Sequence, residues 1–118
     1  MNQIDINFFK DNNLIEYSKL NNENKSLLPS FNAILSNDIK YIKEHYLKMP
    51  YIYKNTTLQT GLMLACYLGN YELCKCLINK EVGYVDLYDR SALFYAIHSI
   101  NPNDDIIKLL LNYEYFEL

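Results

Sequence analysis

The residues best suited to chemistry in this 118-residue chain are Cys66, Cys74 and Cys76, the histidines His45 and His98, Ser99 beside His98, and the pair Asp104 and Asp105. A histidine next to a serine suggests a base with a nucleophile. Adjacent helical residues point about 100° apart, however, so this pair does not make a proton relay, and His98 reads as a surface histidine. Asp104 and Asp105 would suit a metal or an acid pair, but an aspartate at a helix start is explained by capping and the helix dipole. Cys74 and Cys76 lie two apart on one helix, about 200° around its axis, and cannot bridge. A zinc site would need a fourth ligand and short Cys or His spacings, and neither histidine stands at one. The thiols therefore read as small apolar core residues in a reducing compartment. With three glycines there is no glycine-rich phosphate loop. The expectation is a chain that is not an enzyme and needs no cofactor and no metal.

The elements that would position these residues are short and repeated. From Thr60 to Ile78 the chain reads TGLMLACYLGNYELCKCLI: a capping threonine, apolar residues at helical spacing, a Gly69-Asn70 break, then a second apolar set at Leu73, Cys74, Leu77 and Ile78. Two short helices joined by a tight turn fit this pattern. The same pattern returns at residues 91–111 and, more weakly, at 28–47. The small residues Ala33, Ala65 and Ala96 fall 32 and 31 residues apart, a period that predicts stacked repeats. At 118 residues, one continuous core is expected. The start lacks the basic opening and apolar middle of a secretory signal, and no apolar run approaches the ~20 residues that span a bilayer. An intracellular, cytoplasmic location is the expectation. A net charge of −3 argues against a nucleic-acid or membrane partner, since both call for a cationic face.

These residues resemble the ankyrin-repeat family over about 28–111. The resemblance implies an all-α fold, a solenoid of helix-turn-helix repeats with short β-turn finger loops. The expected division is a capping segment at 1–27 and repeats at 28–59, 60–90 and 91–118. In the capping segment, Ile4, Ile6, Phe8, Phe9, Leu14, Ile15, Tyr17 and Leu20 would cover the first repeat, and residues 21–26 read as a solvated loop. Pro29 suits a first helical turn, the run Ser36-Asn37-Asp38 supplies helix-capping oxygens, Asn70 suits an N-cap, and Gly69 suits a left-handed C-cap. Ala65 is expected at a contact between paired helices. The fingers would be residues 49–59 and 80–90. Asn55 and Asp86 match the family's finger pattern, whereas Leu58 and Asp89 stand where it has glycine, and leucine tolerates a positive φ poorly. The turn Asn101-Pro102-Asn103 carries two extra residues.

The family's function implies a concave groove for a partner protein, formed by finger tips and the exposed side of each first helix. Carried over by position, that groove comprises Thr56, Thr57, Gln59, Tyr67 and Leu68 from the second repeat, and Leu87, Tyr88, Arg90, His98 and Ser99 from the third. Tyr67, Leu68, Leu87 and Tyr88 are apolar or aromatic where no stacking duty is evident, and tyrosine and arginine are favoured at binding hot spots. The alternative is an end segment of a longer array, or an assembly subunit associating through its C-terminal helix pair, which includes end-to-end self-association. Leu109, Leu110 and Leu111 stay apolar, and Tyr115, Phe116 and Leu118 follow. The tail is expected either to fold back as a cap or to leave the face open to another chain.

Overall fold

The computed structural model describes residues 29–52, 54 and 58–116, with side chains from 31 to 113. The expected capping segment, the 21–26 loop, Asn55, Thr56, Thr57 and Leu118 lie outside the described residues. Among the described residues, six helices form three antiparallel pairs: α1 (Pro29–Leu35) with α2 (Ile39–Glu44), α3 (Gly61–Leu68) with α4 (Tyr71–Glu81), and α5 (Ala92–Ile97) with α6 (Asp104–Phe116). A short 3-10 turn, Tyr46–Lys48, extends α2. Among the described residues, β structure is limited to one antiparallel bridge between Lys54 and Thr60, which closes the base of the first finger.

Local chemistry sets the ends of these helices. The Thr60 hydroxyl accepts the Met63 N–H at 3.3 Å and the Asn70 side chain accepts the Leu73 N–H at 3.1 Å, each satisfying a donor that the first turn leaves without a partner. Asp38 does the same for Tyr41 at 3.0 Å. Before α6 the cap is Asn103, which accepts the Asp105 N–H at 2.9 Å, rather than Asp104 or Asp105. Gly69 ends α3 at φ 75°, and an added Cβ there would lie 2.1 Å from the Asn101 carbonyl oxygen. One repeat earlier, Asn37 takes the same turn at φ 59°. The two turns are tied by the Asn70 amide donating to the Asn37 side chain at 2.9 Å.

Burial follows the repeat register and separates each helix pair into two faces. On the face toward the following repeat, Ile34, Ile42 and Tyr46 of the first pair are buried, as are Leu62, Cys66, Cys74 and Ile78 of the second. The corresponding Leu93, Ile107 and Leu111 of the third are only half-buried, and Ile97 is exposed. On the face toward the preceding repeat the order reverses. Tyr95, Ile106 and Leu110 are buried, as are Leu64, Leu73 and Leu77, whereas Asn32 and Tyr41 are half-buried and His45 is exposed. Ala33, Ala65 and Ala96 are all buried. Through Phe116 the backbone continues α6 and does not fold back or start another finger.

Candidate partner-binding surface

The finger between the second and third repeats is built around one buried carboxylate. Val82 ends α4 in extended conformation, and the chain then turns on Asp86, which is 3% exposed. Its Oδ1 accepts the backbone N–H of Tyr88 at 2.8 Å and of Arg90 at 2.9 Å. Its Oδ2 accepts the Arg90 Nε–H at 2.8 Å and the Tyr95 hydroxyl at 2.5 Å. Tyr95 in turn accepts from the Gln59 amide at 2.7 Å and from Arg90 Nη2 at 3.1 Å. Burial first, and then the Asp86 hydrogen bond, raise the Tyr95 phenol above its ordinary pKa. Each carboxylate oxygen and the phenol of this cluster have partners of matching role, as a buried network requires. The first finger, the second finger and α5 are thereby fixed together.

The turn beyond Asp86 needs a left-handed residue. Asp89 supplies it at φ 64°, and Leu58 takes the equivalent place in the first finger at φ 62°. The expected departure from glycine is therefore absorbed as backbone strain, costing about 1–2 kcal/mol at Leu58. Outward from this frame stand Leu87, 59% exposed, and Tyr88, 58% exposed, with Tyr84 and Val85 beside them. The Arg90 guanidinium lies 5.2 Å from the Tyr88 ring centre. Lys54 of the first finger sits 4.6 Å over the Tyr84 ring. Tyr51 and Tyr84 flank an open depression of about 500 Å³, floored by Cys76, Asn79 and Lys80.

Not every residue carried over to the groove faces it. Gln59 and Tyr67 are buried and correct the expectation. Gln59 is turned inward by its bond to Tyr95, and Tyr67 is covered because the third repeat's turn crosses it. There the Ile100 N–H and the Ser99 hydroxyl donate to the Tyr67 carbonyl at 3.0 and 2.8 Å. Burial pushes the Tyr67 phenol pKa up. Ser99 is thus a tie between repeats. His98 is half-buried, its ring stacked 4.2 Å from Phe94 with Nδ1 3.0 Å from the Phe94 carbonyl oxygen. Leu68 is also half-buried. The structure brings Leu87, Tyr88 and Arg90 together on one finger and adds Tyr84 and Val85, which sequence reasoning passes over although they flank Asp86.

A second buried carboxylate, Glu81, also escapes sequence reasoning. It is 2% exposed and accepts the Leu62 N–H at 2.6 Å and the Tyr46 hydroxyl, joining the first and second repeats. Burial raises its pKa to about 7 against the opposing pull of those bonds and of Lys80. Its position is legible in principle, because residue 81 continues the buried stripe of Leu73, Cys74, Leu77 and Ile78. Cys66 and Cys74 are buried with their sulfurs 3.6 Å apart, and Cys76 is half-buried. Among the described residues no group of three or more His, Cys, Asp or Glu is placed to hold a metal ion, and no helix is long and apolar enough to cross a membrane.

No curated protein matches the sequence. The family model described as ankyrin repeats (3 copies) matches residues 18–117, beginning ten residues before the first expected repeat. Repeats of this kind are in general protein–protein interaction modules without catalytic activity. The period, the capped helix pairs and this match together establish that the chain belongs to the ankyrin-repeat family.

Proposed function

We propose that the chain is a non-catalytic protein-binding module whose partner docks on the second finger and on the neighbouring ends of the first helices. The observation that carries this reading is the apolar tip formed by Tyr84, Val85, Leu87 and Tyr88, held out from the fold by the buried Asp86 network. Aromatic side chains presented on a rigid frame lose little conformational freedom on binding, which favours affinity. Arg90 stands against Tyr88 at the tip, and His98 stacks on Phe94, which the Arg90 guanidinium also approaches; Leu68, Thr56 and Thr57 are kept in the proposed surface by sequence position alone. Gln59, Tyr67 and Ser99 act behind it as supports. A net charge of −3 favours a protein over a nucleic acid or an anionic membrane.

The test is quantitative affinity capture from the native cell with the unaltered chain and with a Leu87→Ser, Tyr88→Ala variant. The captured partner should fall about tenfold or more, while the thermal melt stays where it was. Equal capture by both proteins removes the finger tip from the binding surface.

A further inference from the structure

Two of the three thiols meet inside the second repeat. Cys66 stands in the last turn of α3 and Cys74 near the start of α4. The turn between them is pinned by Gly69 in the left-handed conformation and by the Asn70 N–H donating to the Ala65 carbonyl at 3.1 Å. It sets the two sulfurs 3.6 Å apart, with both residues 0% exposed. A disulfide bond is about 2 Å long, so the sulfurs need to close by about 1.5 Å, a movement on the scale of side-chain torsion. Cys76 is placed elsewhere, half-buried in the floor of the depression beside Tyr84.

We infer that Cys66 and Cys74 are a redox modification site, at which an oxidant of the peroxide class joins them in a disulfide that ties α3 to α4 and locks the middle repeat. One thiolate attacks a peroxide oxygen and breaks the O–O bond, leaving a sulfenic acid and a first water. The second sulfur then displaces the hydroxyl from the sulfenic sulfur, the S–S bond forms, and a second water leaves with the proton of the second thiol. The two thiols lose two electrons, which reduce the peroxide to water. The closing step joins atoms already in contact, so it outruns further oxidation to a sulfinic acid. Burial selects the oxidant. Both sulfurs lie on the face that the third repeat covers, so a bulky disulfide reagent is excluded while a peroxide, little larger than water, enters on local opening of that repeat. Its first helix, α5, has six residues and no side-chain cap from Ser91, which favours such opening. The site lies inside the stack and is separate from the finger tip proposed for partner binding.

The test treats the folded full chain with a small molar excess of hydrogen peroxide, blocks the remaining thiols by alkylation, and maps the peptides by mass spectrometry. The expected product links Cys66 to Cys74 within one chain and leaves Cys76 outside the bridge. Hydrogen exchange in α4 should slow about threefold or more in that product and return to its former rate after dithiothreitol. Cys76→Ser should bridge as the unaltered chain does, and Cys74→Ala should lose the slowing of exchange. A folded chain without the Cys66–Cys74 link overturns the proposal, as does a link that includes Cys76, a bridge lost in Cys76→Ser, or exchange in α4 that the bridge leaves unchanged. Slowing that persists in Cys74→Ala overturns it as well. Where Cys74→Ala fails to fold, the peptide map and the α4 exchange of the unaltered chain decide.

Discussion

The two junctions between consecutive repeats each bury a carboxylate, and they satisfy it differently. At the second, Asp86 meets a guanidinium at 2.8 Å and three further donors. At the first, Glu81 accepts one backbone N–H and one phenol, while the neighbouring Lys80 turns its ammonium to the carbonyl oxygens of Tyr46 and Met49. A buried charge needs either a counter-charge or enough donors to replace water. The second junction has both and holds a finger rigid. The first has few donors and, among the described residues, no cation in direct contact, so its carboxyl is drawn toward the neutral form.

Removing the better-satisfied group should do the most damage. Asp86→Ala takes the acceptor from two backbone N–H groups, the Arg90 guanidinium and the Tyr95 hydroxyl together. A loss of about 3–5 kcal/mol is expected, toward the lower end because Arg90 retains some access to solvent. Urea unfolding measures it. A loss below about 1 kcal/mol would show that the network follows the finger's shape instead of imposing it.

The next effect depends on pH and belongs to the first junction alone. Glu81 binds its proton more tightly folded, with a pKa of about 7, than unfolded, at the ordinary 4.5. Between those values the folded state holds a proton that the unfolded state has released, so stability falls as pH rises. The contribution is fully present below about pH 4.5 and is lost as pH passes through 7, a span worth about 3 kcal/mol. Glu81→Gln should flatten that slope in urea melts taken from pH 4.5 to 8. A slope unchanged in the variant would assign it to other groups.

Much of the fold was legible because it rests on local chemistry. Thr60, Gly69, Asn70 and Asp38 act at the helix ends where their side chains and backbone freedom suit them, and the three alanines at a regular period are all buried. The surface was harder to read because it depends on what crosses a residue from elsewhere. Tyr67 is open by its place on α3 and is closed by a turn more than thirty residues later. Gln59 is polar and near a finger, yet its amide reaches inward to Tyr95. Asp86 was expected from its place in the finger, but the side chains of its network come from three segments. Leu58 shows the opposite case, in which the register overrides a residue's own backbone preference.

Backbone approach provides a smaller test of the same contrast. At the first junction Gly61 leaves no room, since an added Cβ would lie 2.7 Å from Ile34 Cδ1 and 3.3 Å from Glu81 Oε1. The second junction accommodates the equivalent Ala92. Gly61→Ala should therefore destabilise by about 1–2 kcal/mol through overpacking, despite a helix-propensity gain of up to about 1 kcal/mol. Combining it with Ile34→Val, which removes the clashing methyl, should recover part of the loss in thermal melts. No recovery would mean that the constraint lies with Glu81.

The mildest change probes whether Lys80 acts on Glu81 at a distance. Its ammonium caps two carbonyl oxygens and lies 3.8 Å over the Tyr46 ring. Burial lowers its pKa, and the Glu81 charge opposes that shift. Lys80→Met keeps the aliphatic stem but removes the positive charge that favours ionised Glu81. Below about pH 4.5, where Glu81 is neutral, the cost should be about 0.5–1 kcal/mol, that of two carbonyl hydrogen bonds near solvent. As pH passes about 7 the loss should grow and the Glu81 titration should move upward, because ionisation then proceeds without the Lys80 charge. A titration in the same place, read by carboxyl-resolved NMR, would show that Lys80 serves the carbonyls alone and that the first junction has no electrostatic counterpart to Arg90.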